Sequence, residues 1–309
     1  MPPLRVTLAI CTWNRAPFLR QTLAGIARQD YPPGALEVLV IDNNSTDDTP
    51  AVVAAFAGGP HAPRHVRETR QGLDYARNRG VAEATGEIVL FADDDILMEP
   101  DWIRQIAAPF SSPTGPRIGC VGGEVVPVFP DGLPDWVREW HAPLAFRPEA
   151  GPLPPQHSPM GANFALPKRV LDQVGPFATG LDRQGKNLFG GGDGEMVRRV
   201  RAAGYEVWFA PAARVLHQMP ASRTTFRYAA RHAFDSARSR TAERAAQPRA
   251  SGWLLSRFLL NLVKAPAFGL WAALAFLAGQ SGPGKQAAVR AWRSCGYLFQ
   301  IPRSLAGKI

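Results

Sequence analysis

Three short apolar runs, Val6–Cys11, Leu36–Ile41 and Glu87–Ala92, each end in a polar cluster, with helix-compatible stretches at 17–29, 47–56 and 74–84. Short, continuously apolar segments read as strands buried on both faces, and their alternation with helices predicts βαβ units. In sheets of this kind ligands bind beyond the carboxyl ends of the strands. Those ends carry Thr12-Trp13-Asn14-Arg15, Asp42-Asn43-Asn44-Ser45 and Asp93-Asp94-Asp95, so three polar clusters are expected along one edge. Neither Gly-x-Gly-x-x-Gly nor a Walker phosphate loop follows the first strand, so those two modes of nucleotide binding are unsupported.

The triplet Asp93-Asp94-Asp95 directly follows a strand of buried type, where uncompensated negative charges are costly. A divalent cation relieves that repulsion, and the hard oxygens of an Asp-x-Asp pair, Asp93 and Asp95, suit Mg²⁺ or Mn²⁺ bridging to a diphosphate. A solvated acidic turn or a helix N-cap is the plain alternative. Further along, 127–159 is rich in proline and predicts an irregular connection, with Trp136 and Trp140 available for packing or for stacking on a sugar. A second ordered stretch covers 161–217, with a helix near 195–203 followed by a strand near 206–210.

Together these segments resemble the family 2 inverting glycosyltransferases of bacterial glycan assembly over about residues 5 to 220. The resemblance rests on Ile10-Cys11-Thr12-Trp13-Asn14-Arg15, Val40-Ile41-Asp42-Asn43-Asn44-Ser45-Thr46-Asp47, Gly72-Leu73 with Ala76-Arg77-Asn78-Gly80, and Asp93-Asp94-Asp95. It continues through Gly161-Ala162-Asn163-Phe164 to Gly192-Asp193-Gly194-Glu195. It implies a GT-A domain, an α/β mixed sheet flanked by helices, that binds a nucleotide-sugar donor, with uridine diphosphate the commonest carrier.

The same resemblance places Thr12, Asn14, Arg15, Asp42, Asn44 and Gly72 at the nucleotide, and Arg77 and Asn78 toward the nucleotide end of the donor. Asp93 or Asp94 is expected at the ribose. Asp95, chiefly, with Asp93 and His217 is expected at the metal, and Asp193 as the base that deprotonates the acceptor. Gly192 stands where the family often has a glutamate. The plain alternatives are turn chemistry for the Asn and Asp residues, an exposed helix face for Arg77, a structural role for His217 and a helix cap for Asp193.

The formal charge of +9 over 309 residues is unevenly spread: 1–197 carry 17 Lys and Arg against 23 Asp and Glu, 198–309 carry 18 against 3. The basic third interleaves cations with long aliphatic runs rather than with stacking aromatics, which argues against nucleic acid as a partner. Polar Arg257, Asn261 and Lys264 form one stripe, Pro266 is expected to break or kink the helix, and 265–279 is uncharged but short of a span. A basic helical module at 222–309, following a catalytic domain at 1–221, is therefore expected to dock peripherally on an anionic membrane through an interfacial or re-entrant segment, a buried hairpin being the alternative.

Cys11, Cys120 and Cys295 are too few and too scattered for a disulfide framework, and no signal peptide is expected, so the inner face of the cytoplasmic membrane is the expected location. The acceptor is then expected to be a glycan or a lipid-linked glycan. Two alternatives are a sugar nucleotidyltransferase, whose N-terminal glycine-rich phosphate loop is missing, and an inactive nucleotide-sugar scaffold, against which Asp95 and Asp193 argue.

Overall fold

The computed structural model describes residues 3–112, 117–140, 149–185, 187–247 and 249–307, with only the backbone of 138–140. Part of the expected irregular connection, the Trp140 side chain and Lys308 lie outside the described residues. The central strand β1 (Val6–Thr12) pairs in parallel with β2 (Leu36–Asp42) and with β4 (Ile88–Asp93), and β2 pairs in parallel with β3 (Pro63–Arg67). The register sets Thr12 opposite Asp42, Asp42 opposite Arg67 and Cys11 opposite Asp93, so the polar strand ends fall along one edge.

Side chains alternate across the sheet. Leu8 and Ile10 join Leu19, Leu23 and Ile26 of α1 (Ala16–Ile26), Val52 and Val53 of α2 (Thr49–Ala54) and Trp102, Ile103 and Ile106 of α4 (Trp102–Ala107) in one apolar cluster. Leu39 and Ile41 instead meet Ala76 of α3 (Leu73–Glu83). Phe91 packs with Phe164, Phe177, Val170 of α5 (Lys168–Val174) and Met196, Val197 and Val200 of α6 (Gly192–Ala202). Covering both faces is what makes these strands read as unbroken apolar runs.

Beyond β4 the sheet turns antiparallel. β4 pairs with β8 (Asn163–Pro167), β8 with β6 (Ile118–Val128), and β6 runs parallel to the 13-residue β9 (Glu206–Gln218). The pairing of β6 and β9 shifts register between Gly123 and Val125, which splits β9 functionally. Its first half meets β7 (Gly151–Pro152) and its second half meets β5 (Ile96–Met98), placing His217 opposite Ile96. Buried Asn163 ties the junction: its amide donates to the carbonyls of Glu124 and Ala213 and accepts from Trp102 Nε1 at 3.0 Å.

The chain divides into two compact units, one holding 1–128, 143–179 and 192–218, the other 129–142, 180–191 and 219–309. In the second, α7 (Phe226–Ala245) is capped by Thr225, whose hydroxyl accepts from Tyr228 N. Helix α9 (Ser281–Leu305) packs on both α7 and α8 (Ala250–Leu277). Trp136 packs edge-on to Phe226 under the Lys285 ammonium.

Of the expected break or kink at Pro266, the break does not occur: α8 runs through it for 28 residues. A proline removes one intrahelical bond, and buried Leu254 and Asn261 before it and Ala272 and Ala275 after it show both halves held by packing. One member of the expected polar stripe on α8 turns inward, while Lys264 stays exposed. Asn261 is 4% exposed and donates back to the Arg257 carbonyl, while Leu255, Leu259, Val263, Leu270, Leu274 and Leu277 lie outward.

Candidate functional site

At the edge of β4 the three carboxylates part company. Asp94 points inward at 3% exposure, where Oδ2 accepts from the Thr12 hydroxyl at 2.6 Å and Oδ1 meets Arg15 Nη1 at 3.0 Å. Burial pushes the Asp94 carboxyl up to about 6, Arg15 pulling against it and Asp95 adding to the rise. Burial works against the charge on Arg15 as well, but Asp94 and Asp95 outweigh it and hold the guanidinium protonated.

Asp95 is fully buried, with Oδ2 at 2.6 Å from Arg15 Nη2 and Oδ1 at 3.3 Å from His217 Nε2. Asp93, the most exposed of the three, lies 3.4 Å from the same imidazole nitrogen. The β5–β9 register brings His217 there from more than 100 residues away, and the Gln218 amide donates to the Asp95 carbonyl beside it. One ligand atom from each of Asp93, Asp95 and His217 lies within 4.8 Å of the other two, so two carboxylate oxygens and an imidazole nitrogen converge as a metal would require.

A second group of side chains occupies the ends of β2 and β3. Asp42 accepts from the Ser45 amide at 2.7 Å through Oδ1 and sits 3.0 Å from His65 Nε2 through Oδ2. Asn44 accepts from Arg67 Nη2 at 3.0 Å, and Asn14 accepts from the Thr46 amide, both asparagines in the left-handed conformation. The loops after β1 and β2 are thus fastened together. Asn43 donates to the carbonyls of Glu68 and Arg70 and accepts from the Gly72 amide, and Gly72, at φ 146, opens α3 in a conformation that favours glycine.

Arg77 and Asn78 do not join that group. The Asn78 amide is spent on Phe177, donating to its carbonyl and accepting from its N–H. Arg77, buried on the Phe164 and Phe177 rings, pairs with Asp193 at 2.7 Å. The other Asp193 oxygen accepts from the Gly161 amide at 2.7 Å. Nearby Glu195 is paired with Arg199 on its own helix at 2.8 Å. His65 and Arg67 were not singled out from sequence, and Ser45 and Gly161 were named there only within motifs, without a role of their own. His65 and Arg67 lie on the edge strand β3, which lacks a clean apolar pattern, though their one-residue spacing puts both on one face.

Residues 7–175, more than half of the chain, match the family described as Glycosyl transferase family 2, and the chain belongs to that family. Among curated relatives, the glucosyl-dolichyl phosphate glucuronosyltransferase of Haloferax volcanii is 25% identical over 229 residues, 72% of each chain. Glycosyltransferase AglE of the same organism is 27% identical over 206 residues, 66% of this chain and 64% of that one. Mannosyltransferase PcManGT from Pyrobaculum calidifontis, solved with GDP-Man and Mn²⁺, is 24% identical with a TM-score of 0.61, covering 100% of this chain and 89% of that one. That likeness shows the fold, which is GT-A.

Proposed function

We propose that this glycosyltransferase moves a sugar from a nucleoside diphosphate sugar to a hydroxyl of a lipid-linked glycan, with inversion at the anomeric carbon. The observation that carries the reading is the pairing, in one unit, of a carboxylate–imidazole cluster at Asp93, Asp95 and His217 with a separately held carboxylate at Asp193.

Asp42, Asn14 and Asn44, with His65 and Arg67, are proposed to hold the nucleobase. Asp93, the exposed member of the triplet, takes the ribose as well as the metal edge, while Asp94 holds Thr12 and Arg15 in place. Asp95 and His217, with Asp93, would hold the cation; the imidazole in this set suits Mn²⁺ better than Mg²⁺, which favours all-oxygen ligands. A bound cation would supply Lewis-acid stabilisation of the departing diphosphate. Arg15 adds a fixed positive charge beside it. Asp193 removes the acceptor proton as the acceptor oxygen bonds to the anomeric carbon, and the bond from that carbon to the diphosphate oxygen breaks on the opposite face. The nucleoside diphosphate leaves.

Thermal shift tests the donor class, since a ligand that binds only the folded chain raises its apparent stability. One family of uridine or guanosine diphosphate sugars should raise Tm with Mn²⁺ and much less with EDTA. No response to any nucleotide sugar, or a response confined to nucleoside triphosphates, would overturn the reading.

The lipid-linked acceptor is supported by two observations: the name of the haloarchaeal glucuronosyltransferase relative, and the outward apolar face of α8. Helix α8 is long and apolar enough to cross a bilayer by length and composition. We assign it to the membrane surface at the cytoplasmic face, with Arg290 and Arg293 of α9 supplying cations for anionic headgroups. Replacing Leu259, Val263, Leu270 and Leu274 together by serine should reduce partitioning onto anionic vesicles by about 100-fold or more, helicity being unchanged by circular dichroism. Equal sedimentation of variant and wild type would refute the assignment.

A further inference from the structure

We infer that Arg77 is a positioning residue for Asp193, holding the carboxylate in one orientation and keeping it ionised, and that Gly161 exists to admit the pair. The inference rests on the reading of Asp193 as the base.

The Arg77 side chain is 4% exposed, so its charge has almost no access to water and must be met by the protein. Its guanidinium lies 5.4 Å from the Phe177 ring centroid and 5.9 Å from that of Phe164, with Nη1 at 2.7 Å from Asp193 Oδ1. Phe177 is itself fixed by the two hydrogen bonds from Asn78, the next residue along α3. The guanidinium therefore sits on a floor that its own helix holds in place.

The opposite side of the carboxylate is set by backbone. The Gly161 N–H donates to Asp193 Oδ2 at 2.7 Å while Oδ1 faces the Arg77 guanidinium, so the two carboxylate oxygens are held from different sides. A Cβ at Gly161 would collide with Arg77 Nη2 and with both carboxylate oxygens, the farthest of the three only 2.6 Å away. The φ of this glycine is not in the left-handed region, so its missing side chain, not its backbone freedom, is what the site uses. Asp193 keeps 27% exposure, leaving part of the carboxylate open to an acceptor.

Among the described residues, the other charged and titratable groups in this neighbourhood include Asp74 on α3, Asp93 and Asp94 at the end of β4, the thiols of Cys11 on β1 and Cys120 on β6, and Glu195, Arg199 and Arg201 on α6. Burial pushes Cys11 up to about 12 and raises Cys120 as well, so both thiols stay neutral. Glu195 is neutralised by Arg199, and Arg201 donates to the carbonyls of Leu153, Pro154, Pro155 and His157. Asp74 is buried on the same helix, three residues before Arg77. Among these groups Arg77 is the cation in contact with the base. An adjacent arginine favours the ionised form of a carboxylate, so its loss must raise the pH at which the base becomes active.

The test is the pH profile of kcat/KM, whose acid limb reports the base in the free enzyme, for wild type, Arg77→Gln, Arg77→Lys, Gly161→Ala and Asp193→Asn. Arg77→Gln should move the acid limb up by about 1–2 pH units. Arg77→Lys keeps a charge without the planar fork, so its limb should return to the wild-type position while kcat stays about tenfold down. Gly161→Ala keeps every charge and shifts the geometry: kcat should fall by roughly 10- to 100-fold, with KM for the donor and the limb unchanged.

Circular dichroism and donor-induced thermal shift establish the folded fraction of each variant. If Arg77→Gln does not fold, Arg77→Lys and Gly161→Ala still decide the matter, since wild-type kcat in both would overturn the inference. A folded Arg77→Gln whose activity falls equally at every pH, with no movement of the limb, would also overturn it and mark a structural role alone. Full turnover in Asp193→Asn would instead remove the base reading, and this inference with it.

Discussion

Asp193→Asn is expected to bind nucleotide sugar and Mn²⁺ as wild type does while turnover falls by about 100- to 10,000-fold, the usual worth of general-base catalysis. The substitution keeps the shape of the side chain and one acceptor oxygen for the Gly161 amide, but it takes a carboxylate from the buried Arg77 charge, so Tm should fall and binding is compared on the folded fraction. What disappears is the anionic oxygen now facing Arg77 at 2.7 Å. Isothermal titration of donor against single-turnover transfer separates the two quantities. Glu195→Gln is the matched control. Glu195 is bonded through Arg199, whose guanidinium also donates to the carbonyls of Val174, Gly175 and Pro176, and so braces the C-terminal end of α5. Its loss should lower Tm and leave turnover of the folded enzyme within a few-fold. The reverse pattern, turnover lost in Glu195→Gln and kept in Asp193→Asn, would move the base by two residues along α6.

The strands that carry the donor edge were legible in the sequence because both of their faces are covered. Val6–Thr12 and Leu36–Asp42 differ from the expected spans by a residue at one end, and Ile88–Asp93 by a residue at each end. The convergence of Thr12, Asp42 and Asp93 followed from that pattern alone, since parallel strands in register must end together. His217 was reached only through the family resemblance, and its position depends on a register shift in β6–β9 that no local pattern encodes.

The Asp193 partner of Arg77 was hidden for a related reason. A helical arginine near a glycine-rich turn looks like a phosphate or base contact, whereas its partner lies 116 positions away. Pro266 misled through a local rule, the cost of proline in a helix, which packing of α8 on α9 overrides. The same packing turns Asn261 inward, while Lys264 of the same polar stripe stays exposed, so the stripe does not form one wet face.

Asp95→Asn is the second large expected effect: loss of Mn²⁺ binding, loss of the metal-dependent part of donor affinity, and a fall in transfer of at least about 100- to 1,000-fold, the scale of removing one preorganised electrostatic group. The apo protein should tolerate the change. Asp95 shares a buried edge with Asp94 and Asp93, and removing one of three mutually repelling charges offsets the loss of its contacts with Arg15 and His217. The stabilisation by metal should vanish. In wild type, ligand at 100 times its Kd adds about 2.7 kcal/mol, a rise of several degrees in Tm that a thermal scan resolves.

Direct titration of free Mn²⁺ by electron paramagnetic resonance gives stoichiometry without reference to activity. Arg15 supplies the decisive contrast, because its guanidinium competes with a cation for the Asp95 carboxylate it now holds at 2.6 Å. If the site is a metal site, Arg15→Met leaves Mn²⁺ stoichiometry at one and raises its affinity, even as donor binding weakens. If Arg15 itself is the cation that meets the diphosphate, neither wild type nor Arg15→Met takes up Mn²⁺, Asp95→Asn binds donor as before, and the metal assignment falls.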